Sequence, residues 1–295
     1  MRTAAILALC IAAAAAVETV RTVEALGPFA VGAPGSEPLR VFASYREIPD
    51  AAPQAFARAL ESWRVEGPGG ATLLEESRAV ALRPDGSEFE EESSLWAGRL
   101  VGGPRPLLLV EIGFLPSAPG SGVTWRVFDL EAGSRLVEVA RFEQQGGGVR
   151  NERRPDGDVP LNSGRSLDVD WHFGYFSLVF RYELDEATRR FTARHRCATP
   201  LHARREPEAA VERAARGGGP VVLRERPDAA SAGRTVDPLS AASVELLEAC
   251  LDRPPAPDEP LDADGRSTWV RVRVDAAEGW LPAAELDRLG FVASG

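Results

Sequence analysis

With 295 residues, 44% of them hydrophobic, three cysteines and a formal charge of −10, the chain has room for two ordinary domains. It is too apolar for a wholly disordered polymer and too poor in cysteine for a disulfide scaffold. The acidic balance argues against a nucleic-acid partner, which calls for a basic face to replace phosphate counterions. All 34 basic residues are arginine, a compositional bias, so every ion pair the fold makes can use the planar guanidinium fork.

Residues 1–16 read as a cleavable signal peptide. Arg2 supplies the positive start, Ala4 to Ala15 the apolar stretch, and Ala14-Ala15-Ala16 the small-residue cleavage site. The run is well short of the roughly 20 residues a spanning helix needs. The expectation is therefore an exported chain, periplasmic or secreted, with no transmembrane segment after cleavage. Cleavage removes Cys10 and leaves Cys197 and Cys250 in an oxidising compartment, where one bridge between them is expected. The alternative is two unpaired, buried thiols.

Residues 17–38 contain the Gly/Pro stretch Gly27 to Pro38 and read as an irregular lead-in. An antiparallel, β-rich domain of unknown role is expected over 39–205. Leu39 to Ile48 is strand-like, and Ala52 to Trp63 is expected to be a short helix because Phe56, Ala59, Leu60 and Trp63 share a face at helical spacing. Strands then follow at Leu73 to Leu82, Ser94 to Val101, Pro106 to Phe114, Val123 to Leu130, Arg135 to Phe142, Phe176 to Leu184 and Arg189 to Arg194, each bounded by turn residues. The hairpin Phe128-Asp129-Leu130-Glu131 with Ser134-Arg135 is echoed by Tyr182-Glu183-Leu184-Asp185 with Thr188-Arg189. Such an echo would suit propeller-like blades, or any acidic turn that returns through arginine. Between them Gln144 to Ser166 reads as a mobile surface loop, and Asp168 to His172 as a turn leading into a strand. Residues 206–219, ending in three glycines, read as a linker.

Beyond the linker, Trp269, Arg271 and Arg273 alternate with Val270, Val272 and Val274, the period of a half-buried strand. Asp275 to Gly279 supplies a turn, with Gly279 expected to take positive φ just before Trp280. The opening Val222-Leu223-Arg224-Glu225-Arg226-Pro227, the strand Trp269 to Arg273 and the closing Glu278-Gly279-Trp280-Leu281-Pro282 with Leu286 occur in the order and spacing of a known family. Residues 220–291 thus resemble the bacterial Src-homology-3-like (SH3-like) domain of exported proteins, about a quarter of the chain. Two features depart from the family: Ala241 and Ala242 stand where a glycine is usual, and a proline-containing insert spans Asp252 to Ser267. The resemblance implies a small β-barrel of about five strands that binds a cell-wall peptide or an envelope protein in a shallow aromatic groove. It makes Trp269 and Trp280 the candidate ligand-binding residues, while each ring could equally pack over the small core.

No catalytic set stands out. His195, Cys197 and His202 come closest to a metal-ligand spacing, but Arg194, Arg196, Arg204 and Arg205 surround them, so no metal or cofactor is expected. Asp168 and Asp170 lack the further oxygen ligands and glycine of a calcium loop. The Gly-x-Ser-x-Gly elbow of serine hydrolases and the His/Glu set of zinc amidases are not evident. The reading is a non-enzymatic envelope protein. The alternative is an envelope hydrolase with an unrecognised site in the first domain, using His172 with Asp168 or Asp170.

Overall fold

The computed structural model describes residues 19–49, 55–83, 87–116, 122–131, 135–145, 148–206, 208–209, 211, 220–258 and 268–292. The leader expected over 1–16 and most of the linker expected over 206–219 lie outside the described residues. The protein is mostly β, built from several antiparallel sheets.

The first sheet is a meander of β1 (Val20–Phe29), β2 (Leu39–Glu47), β3 (Arg58–Glu66) and β4 (Thr72–Ser77). Two of its strands correct the sequence reading. The stretch expected to be irregular contains β1, paired with β2 from Val20–Glu47 to Phe29–Leu39. Its half-buried positions include Thr22 and Glu24, whereas Val20 and Val23 are exposed, so the usual apolar-in pattern is inverted. Hydrogen bonding explains the inversion: Thr22 donates to Glu47, and Glu24 takes the Arg58 guanidinium. The expected helix ending at Trp63 is replaced by β3. A bulge makes Glu61 an extra residue against Ser44 and Tyr45, so Leu60 and Trp63, three apart, both point into the core at 1% exposure.

The central sheet comprises β5 (Glu91–Val101), β6 (Leu107–Pro116), β7 (Gly122–Glu131), β8 (Arg135–Gln145) and β9 (Asp158–Pro160), in the order β8-β7-β6-β5-β9. It is covered on both faces. Leu108, Val110 and Ile112 of β6 join the core with Leu39, Val41, Leu60, Trp63 and Val65 of the first sheet, while Leu107 and Leu109 face the opposite core. That is why Leu107 to Val110 of β6 read as an unbroken apolar run. Each fully buried leucine contributes on the order of 2 kcal/mol. The two sheets are also pinned by hydrogen bonds, Leu95 N–H to the Tyr45 hydroxyl at 3.0 Å and Leu60 N–H to Ser93 Oγ at 2.7 Å.

Strand β9 lies inside the segment expected to be a mobile loop. It pairs parallel to β5. The buried Asn151 organises this segment: its amide donates to the carbonyls of Pro160 and Ser166, and its Oδ1 accepts the Asp168 N–H. Backbone polar groups that a free loop would leave to water are thus satisfied internally.

The third sheet, β10 (Ser166–His172), β11 (Ser177–Asp185) and β12 (Arg190–Ala193), packs on the far face of the central sheet. Asp168 to His172, expected as a turn leading into a strand, lies wholly within β10, where Leu167, Val169 and Trp171 are buried and alternate with Asp168, Asp170 and His172. Phe142 and Tyr182 meet edge-on across the layers at 4.9 Å. The two look-alike hairpins belong to these two different sheets and do not form successive blades.

The C-terminal sheet has the order β13-β17-β18-β19-β15-β16, from β13 (Cys197–Ala198), β15 (Val221–Arg224), β16 (Gly233–Val236), β17 (Val244–Cys250), β18 (Trp269–Val274) and β19 (Ala277–Pro282). A short β14 (Arg204–Arg205) pairs with β20 (Phe291–Val292). The sheet is open, not the closed barrel of about five strands expected from sequence. Its inner residues Leu223, Val270, Val272 and Leu281, with Leu286 and Leu289 from the 3-10 segment Ala283–Leu289, continue the core beneath the third sheet. Gly279 does not take positive φ; the turn places that strain on Asp275, at φ 50°. The glycine is needed for close approach instead, because a Cβ there would lie 2.8 Å from Leu223 Cβ and 2.9 Å from the Arg224 carbonyl.

Candidate functional site

Strand pairing decides where the two candidate tryptophans stand. Trp269 lies opposite Pro282, and Arg271 opposite Trp280. Strand β15 sets Arg224 on the far side of Trp280, and β17 sets Cys250 beside Trp269 and Glu248 beside Arg271. Trp269 and Trp280 are therefore diagonal neighbours on the outward face of the sheet, both half-buried, while the valines between them point into the core.

Charges around the rings are mutually balanced. Arg271 lies 5.9 Å from the Trp280 ring centroid and reaches Glu248 and Glu278 at 3.5 and 3.3 Å; Arg273 reaches Glu245 at 2.7 Å. What remains on this face is a pair of flat indoles framed by a neutralised ladder. Such a surface suits stacking on a polypeptide or a ring.

Cys197 and Cys250 face one another across β13 and β17 and are joined by a disulfide. Among the described residues, the metal-ligand types that converge are these two cysteines and Glu248. Both sulfurs are committed to each other, so the set lacks the thiolates a metal would need.

The residues of the hydrolase reading are separated by their partners. Asp168 is gripped by the Arg181 fork at 2.8 and 2.9 Å and by Asn162 at 3.0 Å, and Asp170 lies 3.7 Å from Arg150. His172 Nδ1 instead lies 3.3 Å from Ser177 Oγ at the end of the β10–β11 hairpin. Ser177 is 7% exposed and its N–H bonds the Leu201 carbonyl, so the pair closes the hairpin.

A groove of about 570 Å³ runs between the edge strands β8 and β12, lined by Glu138, Arg141, Arg190 and Thr192 and capped by Pro257 of the insert. Beneath it Glu138 accepts from Arg141 and from the buried Arg126, which also reaches Glu76 at 2.6 Å. Burial alone would raise the Glu138 pKa, but the hydrogen bonds from Arg141 and Arg126 outweigh it and hold the carboxyl below its ordinary value of 4.5. A depressed folded-state pKa contributes stability that is present above the unfolded value and lost as pH falls through the folded one. In urea unfolding at a series of pH values, Glu138→Gln is expected to lower the midpoint at pH 7, with the gap to wild type closing as the pH drops below the glutamate range. A gap unchanged by acid would remove this ion network from the account.

Neither a protein-family model, nor a curated protein, nor a solved structure matches the chain. Among the described residues no helix is long and apolar enough to cross a membrane.

Proposed function

We propose that this is an exported, non-enzymatic envelope protein that binds a cell-wall peptide or an envelope polypeptide through the outward face of an SH3-like C-terminal unit. The observation that carries the reading is the adjacent placement of Trp269 and Trp280 on one outward face. Two half-exposed indoles held by rigid strands give a flat anchor at low entropic cost. The Cys197–Cys250 disulfide beside them supports an oxidising compartment and hence export.

The test is co-sedimentation of the full mature chain with purified peptidoglycan, wild type against Trp269→Ala/Trp280→Ala. Retention of the wild type with about a tenfold loss of affinity in the double variant is expected, the scale of removing aromatic anchors worth on the order of 1.4 kcal/mol or more. Circular dichroism of the variant separates lost binding from lost fold. A wild-type chain that stays in the supernatant would overturn wall binding and direct the search to envelope proteins.

A further inference from the structure

Strand register assembles a second aromatic site, on the central sheet and far in sequence from the first. Trp96 on β5 lies directly opposite Glu111 on β6, and Glu111 directly opposite Trp125 on β7. Directly opposed residues share a face, so the three side chains form one transverse row, aromatic, acid, aromatic. The two indoles meet edge-on at 6.5 Å.

Local sequence shapes the row. Gly98, two residues beyond Trp96 on the same face, leaves the space the indole occupies: a Cβ there would come within 2.3 Å of the Trp96 ring and 2.2 Å of the Gly157 carbonyl. Trp125 is 4% exposed, and its indole N–H is buried without a hydrogen-bond partner among the described residues. A buried donor left without a partner is costly.

A cation already occupies the row. The Arg153 guanidinium carbon lies 4.1 Å from the Trp96 centroid and 4.9 Å from the Trp125 centroid, and the group is ion-paired with Glu111. Two indole faces with a carboxylate between them are the elements of a cation cage. Arg153 reaches in from outside, with 39% of its side chain exposed, so the cage opens to solvent. The backbone on either side is fixed independently of the cage, by the Asn151 side chain and by Arg154 N–H to the Asp158 carbonyl. Side-chain rotation alone is then enough to vacate the site. Burial also pushes the Arg153 pKa down, so its charge sits there partly stripped of water.

We propose that the Trp96–Glu111–Trp125 row is a binding site for the guanidinium group of an arginine-bearing ligand, and that Arg153 is its internal placeholder, displaced when the ligand binds. Guanidinium is favoured over ammonium because it is planar, weakly hydrated and able to stack while pairing with a carboxylate. Competition with Arg153 lowers the apparent affinity of the wild type by the fraction of time the cage is vacant. The site is independent of the C-terminal tryptophans.

The experiment is isothermal titration of the full chain with N-acetyl-argininamide, N-acetyl-lysinamide serving as the ammonium control. Wild type and Arg153→Ala are both expected to bind the arginine probe, the variant about tenfold more tightly, and the lysine probe more weakly in each. Trp96→Ala and Glu111→Gln, each combined with Arg153→Ala, are expected to lose most of that gain. Glu111→Gln keeps the side-chain shape and so serves where Trp96→Ala perturbs folding. Absence of saturable binding to Arg153→Ala, equal binding of the two probes, or binding that survives Glu111→Gln would overturn the site. Binding confined to Arg153→Ala would make Arg153 a fixed part of the sheet and overturn the exchange.

Discussion

Replacing Cys197 and Cys250 together by alanine is expected to destabilise the chain by about 4 kcal/mol, the chain-entropy estimate for a closed loop of this size, the two residues being 53 apart in sequence. The structure says where the loss falls. Strand β13 is two residues long and meets the C-terminal sheet through Cys197–Cys250 and Ala198–Ala249, with further bonds from Leu251 N–H to the Arg196 carbonyl and from the Arg196 guanidinium to the Asp252 carbonyl. So short a strand cannot hold an edge by its own pairing. The disulfide fastens the end of the first region to β17 while everything from β14 to β16 lies within the loop it closes. Urea unfolding of the wild type with and without reductant, beside the double variant, checks this. Reduced wild type should unfold with the variant, and the variant should ignore reductant. Coincident midpoints for all three would mean that the bridge contributes nothing to the fold.

Strands were legible in the sequence where burial is regular, on both faces or on one. Leu107 to Val110 on β6 and Trp269 to Val274 on β18 show their burial in their composition alone, the first as a continuous apolar run and the second as an alternation. Legibility failed where side-chain chemistry or register overrides the binary pattern. Strand β1 turns Thr22 and Glu24 toward partners on β2 and β3 and leaves Val23 exposed, so its apolar residues point the wrong way for a prediction. The bulge at Glu61 gives β3 a three-residue spacing that imitates a helix. The candidate sites divide in the same way. Trp269 and Trp280 are eleven residues apart around one hairpin, and a strand alternation suffices to put them on one face. Trp96, Glu111, Trp125 and Arg153 span three strands and a loop, and nothing short of the pairing register brings them together. Their only sequence signal is Gly98 beside Trp96, which marks a strand where a ring needs room.

Asp129 is where a misleading sequence pattern meets its physical explanation, and Asp129→Ala is expected to cost about 3–5 kcal/mol, the range for removing one partner of a buried ion pair. Its carboxylate is wholly inaccessible and takes Arg105 at 2.6 Å and Arg189 at 2.9 Å. Arg189, itself 16% exposed and held at positive φ in the turn before β12, comes from the second of the two look-alike hairpins, and Asp129 from the first. What resembles a repeat is in fact a contact: the acid of one hairpin receives the arginine of the other and ties the central sheet to the third. Truncating Asp129 leaves two guanidinium groups without their shared anion in a layer where water cannot fully replace it. A double-mutant cycle distinguishes this from simple loss of packing. Because Asp129→Ala already strands Arg189, adding Arg189→Ala should cost less than it does in the wild type, with a coupling on the order of 1 kcal/mol or more. Strict additivity in urea unfolding, or a loss below about 1 kcal/mol for Asp129→Ala, the scale of an exposed pair, would show that the two sheets are held by apolar packing alone.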